Sequence, residues 1–129
     1  MAERAVVRVA NVSLTLAEVC LLLQAKACWP ADLSPRVSAV GAADLMSDVL
    51  AFGTPGMLLL TGLHTQQTVR TADITDLVGV VFVRGKLPAP EVVAMAQQVN
   101  LPLLSTPLTM FEASGRLYTA LFGSERTDE

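Results

Sequence analysis

The stretch Met57-Leu58-Leu59-Leu60-Thr61-Gly62-Leu63-His64-Thr65 decides the fold. A continuous apolar run cut off by a small polar cluster reads as a strand buried on both faces, because helices cover both sides of a parallel sheet. The pattern recurs three times. Val37-Ser38-Ala39-Val40-Gly41 runs into Ala42-Ala43-Asp44, Val80-Val81-Phe82-Val83 into Arg84-Gly85-Lys86, and Leu101-Pro102-Leu103-Leu104 into Ser105-Thr106-Pro107. A helix-like stretch follows each cluster. The expectation is one α/β domain over 1–123, a mostly parallel sheet of four or five strands with helices on both faces, and a charged tail over 124–129.

Strands are expected at about 36–41, 57–61, 78–83 and 102–105, with a short edge strand over Ala5–Val9 that Arg8 interrupts. Thr15 and Glu18 form a capping-box pattern. Leu16, Val19, Cys20 and Leu23 follow at helical spacing, predicting a helix over 16–27. Trp29-Pro30 and Ser34-Pro35 then mark a loop over 29–35, the longest irregular stretch and the one expected to be most mobile. Further helices are expected over 45–51, 65–73, 90–100 and 107–122. Asp44 and Thr65 stand as N-caps of the first two of these. Pro90 suits a first helical position, and Val92, Val93, Met95, Ala96 and Val99 make an inward face. Ser105-Thr106-Pro107 is read as the cap of the last helix. That helix carries Met110, Phe111, Ser114, Leu117, Tyr118 and Leu121 as one apolar stripe. Gly115 costs it about 1 kcal/mol relative to Ala, which points to a close approach by another element.

Composition bounds the partners. At 129 residues the chain is long enough for a real core. Charged residues are 16% and apolar residues 52%, against roughly 25% charged in a typical domain. With so few charges, part of the apolar surface is expected to be covered by another copy or another protein. A net charge of −3 gives no basic field for nucleic acid. The longest membrane-like stretch, Val19–Leu23, is far short of the ~20 residues of a span. Met1-Ala2-Glu3-Arg4 lacks the build of a signal peptide, so a cytoplasmic location is expected. Cys20 and Cys28, eight residues apart in or near one predicted helix, would lie roughly 12 Å apart, beyond disulfide reach. They are expected as buried free thiols, and with a single His no zinc site is expected.

In a parallel sheet the strand ends share one rim, where ligands of such folds bind. That rim would offer Asp44 and Ser47, Thr61, Gly62, His64 and Thr65, Arg84, Gly85 and Lys86, and Ser105 with Thr106. Helix starts favour anions, and Arg84 and Lys86 add charge-assisted bonds of roughly 1.5–3 kcal/mol each. A small anionic, phosphorylated or nucleotide ligand is therefore expected there, at millimolar-to-micromolar affinity. Phosphoryl-transfer signatures fail. Gly53-Thr54-Pro55-Gly56 precedes its strand with no Gly-Lys-Ser/Thr after it, and no Gly-x-Gly-x-x-Gly occurs. No cofactor is expected.

The same segments resemble the DRTGG domain family, related to the N-terminal domain of HPr kinase/phosphorylase. The resemblance is carried by Val40-Gly41-Ala42-Ala43-Asp44-Leu45-Met46-Ser47-Asp48-Val49-Leu50, Leu59-Leu60-Thr61-Gly62, Val81-Phe82-Val83-Arg84-Gly85-Lys86-Leu87-Pro88 and Leu101-Pro102-Leu103-Leu104-Ser105-Thr106. It extends over about 37–117. Thr61-Gly62 matches the Thr-Gly of the name-giving signature. Leu63 stands where a second glycine is expected, and His64 and Thr65 where Asp and Arg are common. The resemblance implies a non-catalytic regulatory domain of the kind found beside CBS modules, phosphotransacetylases or kinases, contributing to homodimer contacts. A separate enzyme chain would then be its partner. Two other roles fit the residues: a purely structural assembly subunit, suggested by the apolar surplus, and a small enzyme using His64 with Asp44 or Ser105.

Overall fold

Met57 and Leu59 pack with one layer of helices, and Leu58 and Leu60 with the other, so all four side chains of the deciding run are fully buried. The computed structural model describes residues 6–8 and 13–126. In chain order the elements are β1 (Val6–Arg8), α1 (Leu16–Leu23), β2 (Lys26–Ala27), β3 (Ala39–Ala42), α2 (Met46–Phe52) and β4 (Met57–Thr61). There follow α3 (Gln66–Ile74), β5 (Gly79–Phe82), α4 (Pro90–Gln98), β6 (Leu103–Ser105) and α5 (Met110–Arg126). The sheet order is β1-β3-β4-β5-β6-β2. Strands β3 to β6 are parallel, with Val40 beside Leu58, Leu59 beside Val80, and Val81 beside Leu104. Antiparallel β1 and β2 close the two edges.

Helices α2, α3 and α4 bury Met46, Val49, Phe52, Val69, Ala72, Val92 and Ala96 against one face. Helices α1 and α5 bury Leu16, Val19, Leu23, Ala113 and Leu117 against the other. The expected architecture, a mostly parallel sheet between helical layers, is the one observed. Four consecutive strands step in one direction with their crossover helices on one side. The parallel part therefore has no reversal of strand order of the kind that opens a ligand crevice in doubly wound sheets. Any site at its carboxyl rim has to be built from loops and helix starts.

Several local expectations change. The first helix stops at Leu23 rather than reaching 27, because Gln24 turns left-handed at φ 56. Lys26 and Ala27 then pair with Ser105 and Leu104 as a sixth strand. Cys28 lies well beyond the helix end, and both cysteines are free but half-buried rather than buried. The Thr15–Glu18 capping box is formed, with Glu18 N–H donating to Thr15 Oγ1 at 3.2 Å and Thr15 N–H to Glu18 Oε1 at 2.8 Å. The 29–35 loop is tied down: Leu33 and Pro35 carbonyls accept from Ala17 and Leu16 N–H, two otherwise unpartnered donors of the first helical turn. Trp29 Nε1 also donates to the Leu101 carbonyl at 2.9 Å.

The last helix begins at Met110, and its cap is Thr109 with Glu112, not Ser105-Thr106. Phe111 is 88% exposed and does not belong to the buried stripe, which runs through Ala113, Leu117 and Leu121. Tyr118 is likewise on the exposed side, and Gly115 has open space where a β-carbon would stand. Among the described residues, no element makes the close approach expected at that glycine. Val99 is exposed at the end of α4 rather than inward. The expected ends of the first strand, Ala5 and Val9, and the last three tail residues lie outside the described residues, while α5 continues to Arg126. No helix among the described residues is long and apolar enough to cross a membrane.

Candidate functional site

Because β3, β4, β5 and β6 run parallel, their carboxyl ends deliver Asp44, Thr61–Thr65, Arg84–Lys86 and Ser105–Thr106 to one rim. The rim divides into three parts with different hydrogen-bonding states.

The first part joins β3 to β4. Asp44 is not the side-chain cap of α2: Leu45 holds the cap position with no side-chain bond. The Asp44 carboxylate instead accepts from Gly62 N–H at 2.7 Å and from Thr61 Oγ1 at 3.2 Å. Thr61 is fully buried, and its hydroxyl also accepts from Leu63 N–H at 3.1 Å. Thr68 Oγ1 donates to the Leu63 carbonyl at 2.6 Å, fastening the turn to α3. Arg84 reaches the same place from the end of β5. A β-carbon built on Gly62 would lie 3.1 Å from Arg84 Nη2 and 3.4 Å from Asp44 Oδ1, so a side chain here would push the guanidinium aside.

Arg84 and Gly85 are both left-handed, at φ 61 and φ 70, and Lys86 N–H donates back to Val83 O at 3.3 Å. This is a tight turn with positive φ at both central residues, a conformation an arginine seldom adopts. It persists because Arg84 N–H donates to Leu108 O at 2.7 Å and Gly85 N–H to Thr106 O at 2.8 Å. Such enforced backbone strain concentrates at functional positions.

The second part lies over β6 and is internally committed. Ser105 Oγ donates to the Lys86 carbonyl at 2.7 Å, and Thr106 Oγ1, fully buried, donates to the Leu23 carbonyl at 2.5 Å. These hydroxyls hold the β5 turn and the end of α1 in place. Ser47 sits exposed on the first turn of α2.

The third part is a groove of about 570 Å³ between the start of α3 and the loop leading into α4. It is lined by His64, Thr65, Gln66, Gln67, Arg70 and Leu87, with Ala89, Glu91 and Val92 on the α4 side. Both helices begin without a side-chain cap: Thr65 occupies the expected cap position but makes no cap bond, and Ala89 cannot. The His64 ring stands edge-on to Phe82, centroids 6.4 Å apart at 74°, with Nδ1 3.3 Å from the Gly62 carbonyl. Its described partner is a backbone carbonyl, not Asp44 or Ser105. Ser105 lies beyond β5, two strand spacings or about 10 Å away across the sheet. The catalytic pairings considered from sequence are therefore not formed.

Of the residues picked out by sequence, Asp44, Thr61, Gly62 and Arg84 are brought together, and His64 and Thr65 line the groove. Gln66, Gln67, Arg70 and Glu91 were missed. The available signal was helical spacing, since Arg70 stands four residues after Gln66 on the face that begins at Thr65.

No protein-family model matches the chain, and no curated protein matches it in sequence. Among solved structures, one similar chain is the CBS and DRTGG domains of the regulatory region of Clostridium perfringens pyrophosphatase, complexed with its activator diadenosine tetraphosphate. It superposes with a TM-score of 0.70 at 18% identity, over 83% of this chain and 47% of that one. The present chain thus spans about half of its neighbour, and the likeness is one of fold.

Proposed function

We propose that this domain is a non-catalytic regulatory or sensing module that takes a small phosphate-bearing ligand of the nucleotide class in the groove between α3 and α4. The observation that carries the reading is the convergence on one groove of Arg70, two helix starts without side-chain caps and an exposed apolar Leu87, beside the Arg84–Lys86 turn. The groove volume falls within the roughly 300–1,000 Å³ usual for small-molecule sites. Arg70 and the helix starts suit phosphate oxygens. The amides of Gln66 and Gln67 suit a base edge, Leu87 suits an apolar ring, and Glu91 suits ribose hydroxyls. The nucleotide activator of the pyrophosphatase regulatory region supports the ligand class. It does not locate the ligand, because that region holds two kinds of domain.

Isothermal titration of the chain against mono- and dinucleotides, diadenosine tetraphosphate and acyl phosphates tests the reading. Binding in the millimolar-to-micromolar range is expected, weakened roughly tenfold or more by Arg70→Ala. Silence across the panel would contradict it.

A second reading is favoured by a different surface. Leu21 is 84% and Phe111 88% exposed on the α1–α5 layer, beside an open groove across Gly115. A homodimer through this face would seat Phe111 of one copy against Gly115 of the other, accounting for a mid-helix glycine that none of the described residues approaches. Sedimentation of wild type and Phe111→Glu tests it: a dimer that the charge dissociates is expected. A wild type that stays monomeric at high concentration would contradict it.

A further inference from the structure

Three donors suited to an anion meet at the carboxyl end of β4: the Thr61 hydroxyl, the Gly62 amide and the Arg84 guanidinium. Two of them, the hydroxyl and the amide, already donate to a carboxylate of the same chain, and the guanidinium stands beside the same glycine without pairing with it. Asp44 Oδ1 lies 2.7 Å from Gly62 N and 3.2 Å from Thr61 Oγ1, and a β-carbon on Gly62 would stand 3.4 Å from that oxygen and 3.1 Å from Arg84 Nη2. Amide, hydroxyl, guanidinium and carboxylate therefore crowd one side of a residue that has no side chain of its own. The backbone that carries these donors is fixed from behind. Arg84 and Gly85 are pinned left-handed by the Leu108 and Thr106 carbonyls, and Thr61 is buried.

We infer that Asp44 is a tethered anion occupying the Thr61–Gly62 donors of an anion subsite that Arg84 flanks, and that it keeps small inorganic anions off this part of the rim. A group attached to the same framework competes at an effective concentration of millimolar or more. An external phosphate must displace the carboxylate already bonded to the amide and hydroxyl before it can use them, which weakens its binding in proportion to the effective concentration of the tethered group. The consequence is selectivity: an external ligand must engage the Arg70 groove and cannot be held by phosphate contacts at Gly62 alone. The inference deepens the reading of the rim as a ligand face and rests on it.

The test is titration of the full chain with inorganic phosphate at low ionic strength, followed by calorimetry and by the amide resonance of Gly62. Asp44→Ala is expected to gain saturable phosphate binding at least tenfold tighter than wild type, with the Gly62 amide shifting. Adding Arg84→Ala should abolish the gain. The inference is overturned if folded Asp44→Ala binds phosphate no tighter than wild type, or if wild type already binds it at Gly62 with equal affinity. Should the alanine variant not fold, Asp44→Ser keeps a hydroxyl near the Gly62 amide and carries the same expectation. Failure of the groove reading would appear separately, as nucleotide silence of wild type, since the phosphate gain at Gly62 does not require the α3–α4 groove.

Discussion

Asp44 Oδ1 and the backbone nitrogen of Gly62, 2.7 Å apart, tie the end of β3 to the end of β4. The bond is charge-assisted, and the same oxygen satisfies the hydroxyl of fully buried Thr61. Removing it leaves that hydroxyl without its acceptor. Asp44→Ala is therefore expected to lower stability by about 1–3 kcal/mol, and Asp44→Asn, which keeps an acceptor oxygen, by less. Urea denaturation checks this, and a loss under about 0.5 kcal/mol for the alanine variant would show that the link carries no weight.

Two glycines of the sheet should respond differently to alanine. At Gly41 the new β-carbon would meet Phe52 Cε1 at 3.0 Å and Met57 Sδ at 3.1 Å, both inside the core. A cost of about 1–3 kcal/mol is expected from overpacking. At Gly62 the nearest atom is the mobile tip of Arg84, which can swing into solvent. Gly62→Ala should cost less in stability while displacing the guanidinium. Parallel denaturation curves of the two variants give the ranking, and a larger loss at Gly62 would contradict it.

The strands were legible because helices cover both faces of the sheet, so Met57–Leu60 and Val80–Phe82 could not be anything but apolar. Strand β2 was not legible. Two residues, Lys26 and Ala27, both exposed, carry no alternation, and only their pairing with β6 makes them a strand. The end of α1 was overshot because a left-handed stop usually announces itself as glycine, and here it is Gln24. Phe111 misled for the opposite reason. An apolar residue two positions before Ala113, off the buried spacing of Ala113, Leu117 and Leu121, extends the stripe on paper while standing 88% exposed in space. At the site, the turns bearing Thr61, Gly62 and Arg84 could be read. That Asp44 would spend its carboxylate on Gly62 rather than on its own helix is a property of the strand register, which the local sequence does not encode.

The cap of α5 also separates two readings. The Thr109-x-x-Glu112 pattern was present in the sequence, and the structure shows both of its bonds, at 3.1 Å and 3.0 Å. Thr109→Ala is expected to cost about 0.5–2 kcal/mol. Thermal denaturation of the variant checks it, and an unchanged melting temperature would exclude the cap.

Both capping glutamates titrate in a definite direction. Thr15 N–H holds the Glu18 carboxyl below its ordinary value of 4.5, and Thr109 N–H does the same for Glu112. A lowered folded value means that the charged form favours the native state. The contribution is complete above about pH 4.5 and disappears as the pH falls through the lowered values. The melting temperature should therefore drop on acidification below that point, and the Glu18→Gln, Glu112→Gln double variant should drop less steeply. Identical slopes would contradict the assignment.

Burial pushes the Cys28 thiol from 9.0 up to about 11, and Cys20 is also raised. At pH 8 only about one Cys28 in a thousand is a thiolate. Iodoacetamide should label the native protein far more slowly than the urea-unfolded chain, and equal rates would show the thiols to be accessible.

The groove reading is tested most directly by recording amide resonances of the full chain during titration with diadenosine tetraphosphate and with single nucleotides. Saturable shifts at Thr65, Gln66, Gln67 and Glu91, lost in Arg70→Ala, are predicted. Resonances that stay still at those four positions, or that move only along α1 and α5, would contradict it.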